Sequence, residues 1–118
     1  VITMLDINIE FHKGILFVRL DGVLDYSTVN KLESSVTNLS KESGIKNIVF
    51  NVSNLKSIDY YGINELFNNY KICSLNNGKS LLCGINNDLV KQTINKSRLK
   101  KYMYETLNEL TACNIINL

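Results

Sequence analysis

The sequence contains no proline and no tryptophan, and it has one histidine and three cysteines among 118 residues. Because proline is absent, no rigid hinge of that kind divides the chain. No stretch approaches the ~18 consecutive apolar residues that a membrane span needs. Val1 to Met4 lack the basic and apolar regions of a secretory signal. We therefore predict a single domain over residues 1–118, because this length suits one core and leaves little room for a second.

The few cysteines are far apart and odd in number. Cys73, Cys83 and Cys113 form no C-x-x-C pair, so neither a zinc site nor a dithiol redox motif is indicated. A single histidine, His12, cannot assemble a metal cluster. We expect no disulfide and no metal, with Cys73 and Cys83 buried as small apolar side chains. This cysteine usage is typical of the reducing cytoplasm.

The net charge of +2 is too small to indicate a nucleic-acid-binding surface. Basic residues cluster only at Lys96, Arg98, Lys100 and Lys101. A solvated helix end explains this cluster better than a phosphate-binding patch, because specific nucleic-acid binders carry a dense basic face and recognisable motifs. We expect no nucleic-acid partner.

Motifs that carry catalysis are also missing. The chain has no G-x-G-x-x-G, no phosphate-cradling loop with lysine and no nucleophile elbow. A Ser-His-acid triad would need His12, which we interpret as a solvent-facing turn residue. Asp25 and Asp59 could pair as acid and base, but each precedes a helical stripe and is more simply a helix cap. We expect no enzymatic activity, no catalytic residue and no cofactor.

The first half of the chain predicts a hairpin, a helix and a buried strand. Ile7, Ile9 and Phe11 alternate with polar residues as in a half-buried strand, and a turn at 12–14 leads to a second strand over 15–20. A helical stripe follows at Val29, Leu32, Val36 and Leu39, with Gly44 as the helix stop. Residues 45–52 contain the run Ile48-Val49-Phe50, which is typical of a central strand covered on both faces.

The second half predicts three more helices. A polar loop at 53–58 leads to a helix near Gly62, with apolar spacing at Ile63, Leu66, Phe67, Tyr70 and Cys73 and an end at Asn77-Gly78. Residues 81–85 read as a buried strand, and a short helix after Asn86–Asp88 carries Leu89, Val90 and Ile94. Tyr102-Met103-Tyr104 is a candidate edge strand. Thr106 and Glu109 have the capping-box spacing of a last helix with Leu107, Leu110 and Cys113.

The predicted element order is therefore β-β-α-β-α-β-α-(β)-α. It indicates an α/β fold with a mixed sheet of four to five strands and about four α-helices. We expect the helices that follow Asp25 and begin near Gly62 to pack on the same sheet face, against the central strand.

The segment from Ile58 to Gly62 is the most unusual in the chain, because Tyr60 and Tyr61 are adjacent at a strand-to-helix turn. One tyrosine could anchor in the core while the other projects over the loop. Exposed aromatics on a rigid turn make good contact residues, since they bring large area at low entropy cost. Alternatively both rings pack sideways on the helix, as half-buried tyrosines often do.

These residues resemble the STAS domain, the fold of bacterial anti-sigma-factor antagonists. The resemblance rests on Leu20 to Asp25 before the first helix, on Phe50-Asn51-Val52-Ser53, and on Ile58-Asp59 with Gly62. It covers the chain from about Ile7 to the last helix. Members of this family bind an anti-sigma factor, often a serine kinase, and so free a sigma factor for transcription.

The resemblance implies a partner-binding surface at the loop ends of the sheet. Asp25 matches the aspartate that faces the partner after the second strand. Asp59 and Gly62 match the first and last residues of the phosphorylation loop, whose family pattern is D-S-S-G or D-S-T-G. Tyr60 and Tyr61 lie between them and are included in the predicted surface, as is Asn51, where many members carry aspartate.

The chain departs from the family pattern at the phosphorylation loop. Tyr60 and Tyr61 replace both hydroxyl residues, and Tyr61 occupies the acceptor position. In the usual switch, phosphate adds ≈ −1.5 to −2 charges, which ejects the partner by repulsion and desolvation. The tyrosine hydroxyl lies across a ring, away from where a serine kinase acts, so we expect this switch to be lost. Ser57 is a weak substitute acceptor and is read as an ordinary loop residue.

The leading hypothesis is thus a protein-binding module of the anti-sigma-antagonist type. One alternative keeps the fold but makes the chain a scaffold or accessory subunit of a stress-signalling or transporter complex. Another is a domain that binds a small ligand or nucleotide at the Asp25 and Tyr61 end. The partner classes left open are an anti-sigma factor, another signalling protein and a second copy of the chain as a homodimer.

Overall fold

A computed structural model describes residues 4–117, which form one five-stranded sheet in the spatial order β1-β2-β3-β4-β5. The strands are β1 (Leu5–His12), β2 (Ile15–Leu24), β3 (Asn47–Ile58), β4 (Ser80–Cys83) and β5 (Tyr104–Thr106). β1 is antiparallel to β2, and all other neighbours are parallel. The mixed sheet and the central place of the Ile48–Phe50 strand are confirmed. The expectation that residues 1–3 carry no secretory signal lies outside the described residues.

Helices cover both faces of the sheet. They are α1 (Val29–Leu32), a π-helical segment (Glu33–Thr37), α2 (Asn38–Ser43), α3 (Tyr60–Leu75), α4 (Asp88–Lys96), a 3₁₀ turn (Leu99–Lys101) and α5 (Glu109–Ile116). The first three segments run on without a break and end at Gly44, whose φ of 64° supplies the predicted helix stop. Within residues 4–117, no helix is long and apolar enough to cross a membrane.

The larger core lies between the sheet and helices α1 to α4. Leu32 and Leu66 pack there with Phe50, so the two predicted helices do share one sheet face. Val49 points to the other face, where it packs with Ala112 of α5. Both helices therefore pack against the Ile48–Phe50 strand as predicted, and they do so through Ile48 and Phe50, because successive side chains of a strand point to opposite faces.

Two strands are longer than the sequence patterns indicated. β2 continues through Asp21 to Leu24, and the predicted polar loop at 53–58 is the second half of β3. Two register shifts between these parallel strands interrupt the alternation of apolar and polar residues, which is why the sequence read as a loop. Leu55 and Ile58 are nevertheless buried in the larger core.

The C-terminal elements also differ from expectation. The edge strand lies at Tyr104–Thr106 instead of 102–104, because Met103 is buried after the 3₁₀ turn. Asn108, not Thr106, caps α5 by accepting a hydrogen bond from the Thr111 N–H at 2.9 Å. The buried face of α5 therefore contains Ala112, and the predicted stripe residues Leu107 and Leu110 are exposed.

A polar network attaches α5 to the sheet. Arg19 of β2 donates two hydrogen bonds of 2.8 Å to the Glu109 carboxylate, one from Nε and one from Nη2. Asn51 of β3 donates a third hydrogen bond of 2.8 Å to the same carboxylate. These donors, led by Arg19, hold the pKa of Glu109 below its ordinary value of 4.5. Glu109 therefore stabilises the folded chain in its ionised form.

Replacement of Glu109 by glutamine should lower the free energy of unfolding by about 1 kcal/mol at neutral pH, because a half-buried bidentate pair is lost. The folded pKa of Glu109 lies below the unfolded one. Its contribution is therefore complete above pH 4.5 and is lost as the pH falls through the folded pKa. Urea unfolding of wild type and variant between neutral and acidic pH should show curves that converge only in acid. Glu105→Gln, which breaks a pair joined by a single 2.9 Å contact to Lys100, is the control and should have a smaller effect; equal losses in both variants would contradict the prediction.

Two of the three thiols are shielded. Cys73 and Cys83 are fully buried as predicted, and burial raises the pKa of each thiol to about 12. Cys113 lies on α5 and is partly exposed. Because the thiolate is the reactive species, we expect a thiol reagent at pH 8 to label the native chain at Cys113 alone. Unfolded protein should be labelled three times, and rapid labelling of native Cys113→Ser would be evidence against this packing.

Candidate functional site

The connections that follow β2 and β3 lie side by side at one end of the sheet. Leu24 and Ile58, the last residues of these parallel strands, are register partners. The Asp59 N–H donates to the Leu24 carbonyl at 3.2 Å, which extends the pairing by one residue. Asp25 and Asp59 therefore begin adjacent loops, as expected for the carboxyl ends of parallel strands.

One carboxylate joins the two loops. Asp59 Oδ1 accepts the Gly62 N–H at 3.0 Å and so caps α3, as predicted. Asp59 Oδ2 accepts the Tyr26 N–H, also at 3.0 Å. The start of α3 and the loop after β2 are therefore held in one fixed geometry.

Gly62 is needed for close packing at this junction. A Cβ at this position would lie 2.5 Å from the Leu24 carbonyl oxygen and 2.8 Å from Ile58 Cγ1. Gly62 is buried, and its lack of a side chain lets α3 approach the ends of both strands.

Asp25 organises its own turn. Its Oδ1 accepts hydrogen bonds from the Ser27 hydroxyl at 2.6 Å and the Ser27 N–H at 2.9 Å. These bonds, led by that of the hydroxyl, hold the pKa of Asp25 below its ordinary value, so the carboxylate stays ionised. The expected capping role is wrong for Asp25, because Thr28 occupies the N-cap of α1.

Three tyrosines cover this end of the molecule. The exposed fractions are 71% for Tyr26, 74% for Tyr60 and 49% for Tyr61. The ring of Tyr61 lies 5.0 Å from that of Tyr26 and 5.6 Å from that of Tyr60. Neither Tyr60 nor Tyr61 anchors in the core, so that interpretation is wrong; the ring of Tyr61 packs against those of Tyr26 and Tyr60, and Tyr60 stays largely exposed. Aromatic pairs at these distances stabilise each other and keep the rings in place.

Tyr26 was missed by sequence reasoning. It follows Asp25 directly, but only the pairing of β2 with β3 brings its ring against Tyr61. In the sequence, only its position next to Asp25, which matches the family pattern, could have indicated that Tyr26 belongs to the candidate site.

Asn51 lies apart from the other predicted site residues. It is in the middle of β3 and bonds to Glu109 on the α5 face, eight positions before Asp59. Its Oδ1 accepts hydrogen bonds from the Ser53 N–H and hydroxyl. Ser57 is also not a loop residue, because it pairs with Val23 in the sheet.

An apolar groove adjoins the tyrosines. It has a volume of about 230 Å³, and Tyr60, Phe67, Arg98 and Tyr102 are among its lining residues. Phe67 and Tyr102 pack edge to face at 5.1 Å. For metal binding, no three His, Cys, Asp or Glu side chains of residues 4–117 lie close enough to form a site.

Comparison with known proteins adds independent information. The family model for the STAS domain matches residues 6–111. A relative from Paenibacillus polymyxa, named anti-sigma F factor antagonist, is 30% identical over 108 residues, which are 92% of each chain.

Solved structures share the fold. An anti-sigma factor antagonist from Mycobacterium paratuberculosis has a TM-score of 0.86 at 16% identity, over 98% of this chain and 96% of that one. The unphosphorylated anti-sigma factor antagonist SpoIIAA has a TM-score of 0.80 at 17% identity, over 96% and 98%. The family match spans nearly all of the strands and helices described above. Asp59 and Gly62 also lie at the strand-to-helix junction where the sequence predicted them. This chain therefore belongs to the STAS domain family.

Proposed function

We propose that this chain is an anti-sigma factor antagonist that binds an anti-sigma factor and so frees a sigma factor for transcription. The contact surface consists of Asp25, Tyr26, Asp59, Tyr60 and Tyr61, called here the tyrosine surface. The chain acts in the cytoplasm by binding and not by catalysis. The name of the Paenibacillus polymyxa relative supports this function over the scaffold, transporter-subunit and small-ligand alternatives.

The observation that carries the proposal is the set of three exposed tyrosines on two fixed loops. Tyrosine brings a large amphipathic contact area with few rotatable bonds. Because Asp59 and the ring contacts already order these loops, binding requires little further loss of conformational entropy. Large exposed aromatic residues gathered at one site are typical of interaction surfaces and not of a free monomer surface.

Asp25 and Asp59 have different roles in this proposal. Asp25 carries a stable negative charge at the rim of the tyrosine surface, which favours a basic side chain on the partner. Asp59 already accepts two backbone N–H groups, so its main role is to position Tyr26 and α3. The adjoining groove at Tyr60 offers a pocket for an apolar side chain of the same partner.

Regulation at this surface differs from that of the family pattern. Tyr61 stands at the acceptor position, and its ring packs between Tyr26 and Tyr60. A kinase that phosphorylates serine or threonine needs a hydroxyl close to the backbone, and at this position it would contact the aromatic ring of Tyr61 instead. Ser57 lies within β3, where it pairs with Val23, and is therefore not on the loop where the family pattern has its acceptor. The proposed antagonist therefore lacks the Ser/Thr phosphoswitch and stays competent to bind.

Truncation of Tyr61 to alanine should weaken association with the anti-sigma factor about thirtyfold, which corresponds to about 2 kcal/mol at an interface hot spot. The melting temperature should change little, because the ring is half exposed and contributes no core packing. The partner can be recovered by pull-down with the wild-type chain, and affinity measured by calorimetry.

Tyr104→Ala is the matched control, since Tyr104 is exposed on β5 at the far edge of the sheet. It should retain wild-type affinity. Normal binding by folded Tyr61→Ala, or equal losses in both variants, would place the interface elsewhere.

Wild-type chain incubated with a kinase-type anti-sigma factor and ATP should gain no phosphate in intact-mass measurement. Tyr61→Ser restores a short hydroxyl beside Gly62, where the family pattern has its acceptor, and should become phosphorylated and lose partner affinity. Stoichiometric phosphate on Tyr61 would disprove loss of the switch, and phosphate on Ser57 would show that the switch has moved.

A further inference from the structure

Among residues 4–117, β1 is an outer strand of the sheet and pairs with β2 alone. It is eight residues long, and the structure shows no bulge in its pairing with β2. Regular exposed edges present unpaired N–H and C=O groups and are templates for pairing with another strand. The chain has no proline that would block such pairing.

The hydrogen-bonding pattern identifies which residues of β1 face the free edge. Lys13 and Gly14 form a two-residue hairpin loop with φ of 50° and 80°. The residues that flank such a loop, here His12 and Ile15, exchange two backbone hydrogen bonds. Pairing then alternates, so even-numbered residues bond to β2. Two contacts agree with this alternation. The Val23 N–H of β2 donates to the carbonyl of even-numbered Met4 at 2.9 Å, and Lys31 Nζ donates to the carbonyl of odd-numbered Leu5, which is directed away from β2.

The backbone groups of Ile7, Ile9 and Phe11 are therefore the ones directed away from β2. Their side chains lie on the sheet face of the larger core, opposite apolar residues of β2. Helices of the described residues cover this edge incompletely, because Ile9 is 37% exposed and Phe11 59%. The sequence pattern predicted these residues as half-buried, and the structure leaves two of them open.

We infer that β1 is a self-association edge, at which a second copy of the chain adds its own β1 in antiparallel pairing centred on Ile9. In this register Ile9 faces Ile9 of the second copy, and Ile7 faces Phe11. On the opposite sheet face, Asp6 meets His12 and Asn8 meets Glu10. The three outward-facing apolar residues Ile7, Ile9 and Phe11 therefore meet apolar residues, and each acidic residue meets a group that can donate a hydrogen bond.

Neighbouring registers are electrostatically worse. Centring on Asn8 places Asp6 opposite Glu10, and centring on Glu10 places two Glu10 carboxylates opposite each other, both of which are unfavourable cross-strand pairs. Centring on Asn8 also requires the Leu5 carbonyl, which Lys31 already occupies. The pattern of charges thus selects the register on Ile9.

The resulting dimer has one continuous ten-stranded sheet, joined by about six backbone hydrogen bonds. The tyrosine surface lies beyond Leu24, at the end of β2, and stays open in both copies. The dimer would therefore present two partner sites. Because a single strand pair is smaller than a standard interface, the association should be moderate in affinity and concentration-dependent.

Sedimentation velocity of the wild-type chain from about 10 μM to about 1 mM should show a monomer–dimer equilibrium within this range. Ile9→Lys places two ammonium groups against each other at the symmetry axis and should weaken dimerisation at least tenfold. Leu107→Lys, an 80% exposed leucine at the opposite sheet edge, is the control and should dimerise normally. A wild-type monomer throughout, or equal effects of both lysines, would overturn the inference.

Charge reversal and cross-linking test the register itself. His12→Asp puts two carboxylates opposite each other and should weaken the dimer, and Asp6→Lys added to it should restore association.

In a Cys113→Ser background, Ile9→Cys should form an intermolecular disulfide, because directly paired Cα atoms lie ≈ 5.5 Å apart. Ile7→Cys alone should not, since the two copies of residue 7 are about 14 Å apart. A mixture of Ile7→Cys with Phe11→Cys should cross-link, and a disulfide in Ile7→Cys alone would rule out the register centred on Ile9.

Discussion

The arrangement of the candidate site depends on the bidentate role of the Asp59 carboxylate. One oxygen caps α3 at Gly62, and the other holds the Tyr26 N–H in the neighbouring loop. This interaction is available only because β2 and β3 end in register, with the Asp59 N–H bonded to Leu24. A capping hydrogen bond is ordinarily a local device of one helix. Here it also couples two loops that are more than thirty positions apart in the chain.

The same parallel pairing separates the functions of the two sheet faces. Helices α1 to α4 bury one face, and α5 covers part of the other. On the α5 face, Arg19 and Asn51 converge on Glu109, so polar groups of two central strands are satisfied by one carboxylate. Asn51 thereby has a structural role at the middle of the sheet, and the tyrosine surface at its end is built without it.

Replacement of short hydroxyl residues by tyrosines changes what such a loop can do physically. A serine beside Gly62 would offer a small acceptor for phosphate, whereas Tyr61 fills the position with a ring held by two other rings. In the proposed function, a surface whose binding is controlled by phosphorylation is thereby replaced by one that is always able to bind the partner. Self-association through β1 would leave both docking surfaces open, so a dimer would present two of them at once.

The sequence by itself determined the elements whose signals are local. Helical spacing placed Leu32 and Leu66 on buried faces, the run through Phe50 marked the central strand, and Asp59 three residues before Gly62 marked a helix cap. Local spacing suffices for these features because each depends on residues within one or two helical turns.

Tertiary structure decided the features that depend on distant residues. The second half of β3 was read as a loop, because its pairing with β2 is interrupted by register shifts that no local pattern records. Tyr26 lies against Tyr61 of the candidate site, and Asn51 lies away from it against Glu109, through contacts between residues that are far apart in sequence. The exposure of Phe11 likewise depends on which helices reach the sheet edge. Periodicity tells which face of an element is apolar, but only the packed fold determines whether another element covers that face.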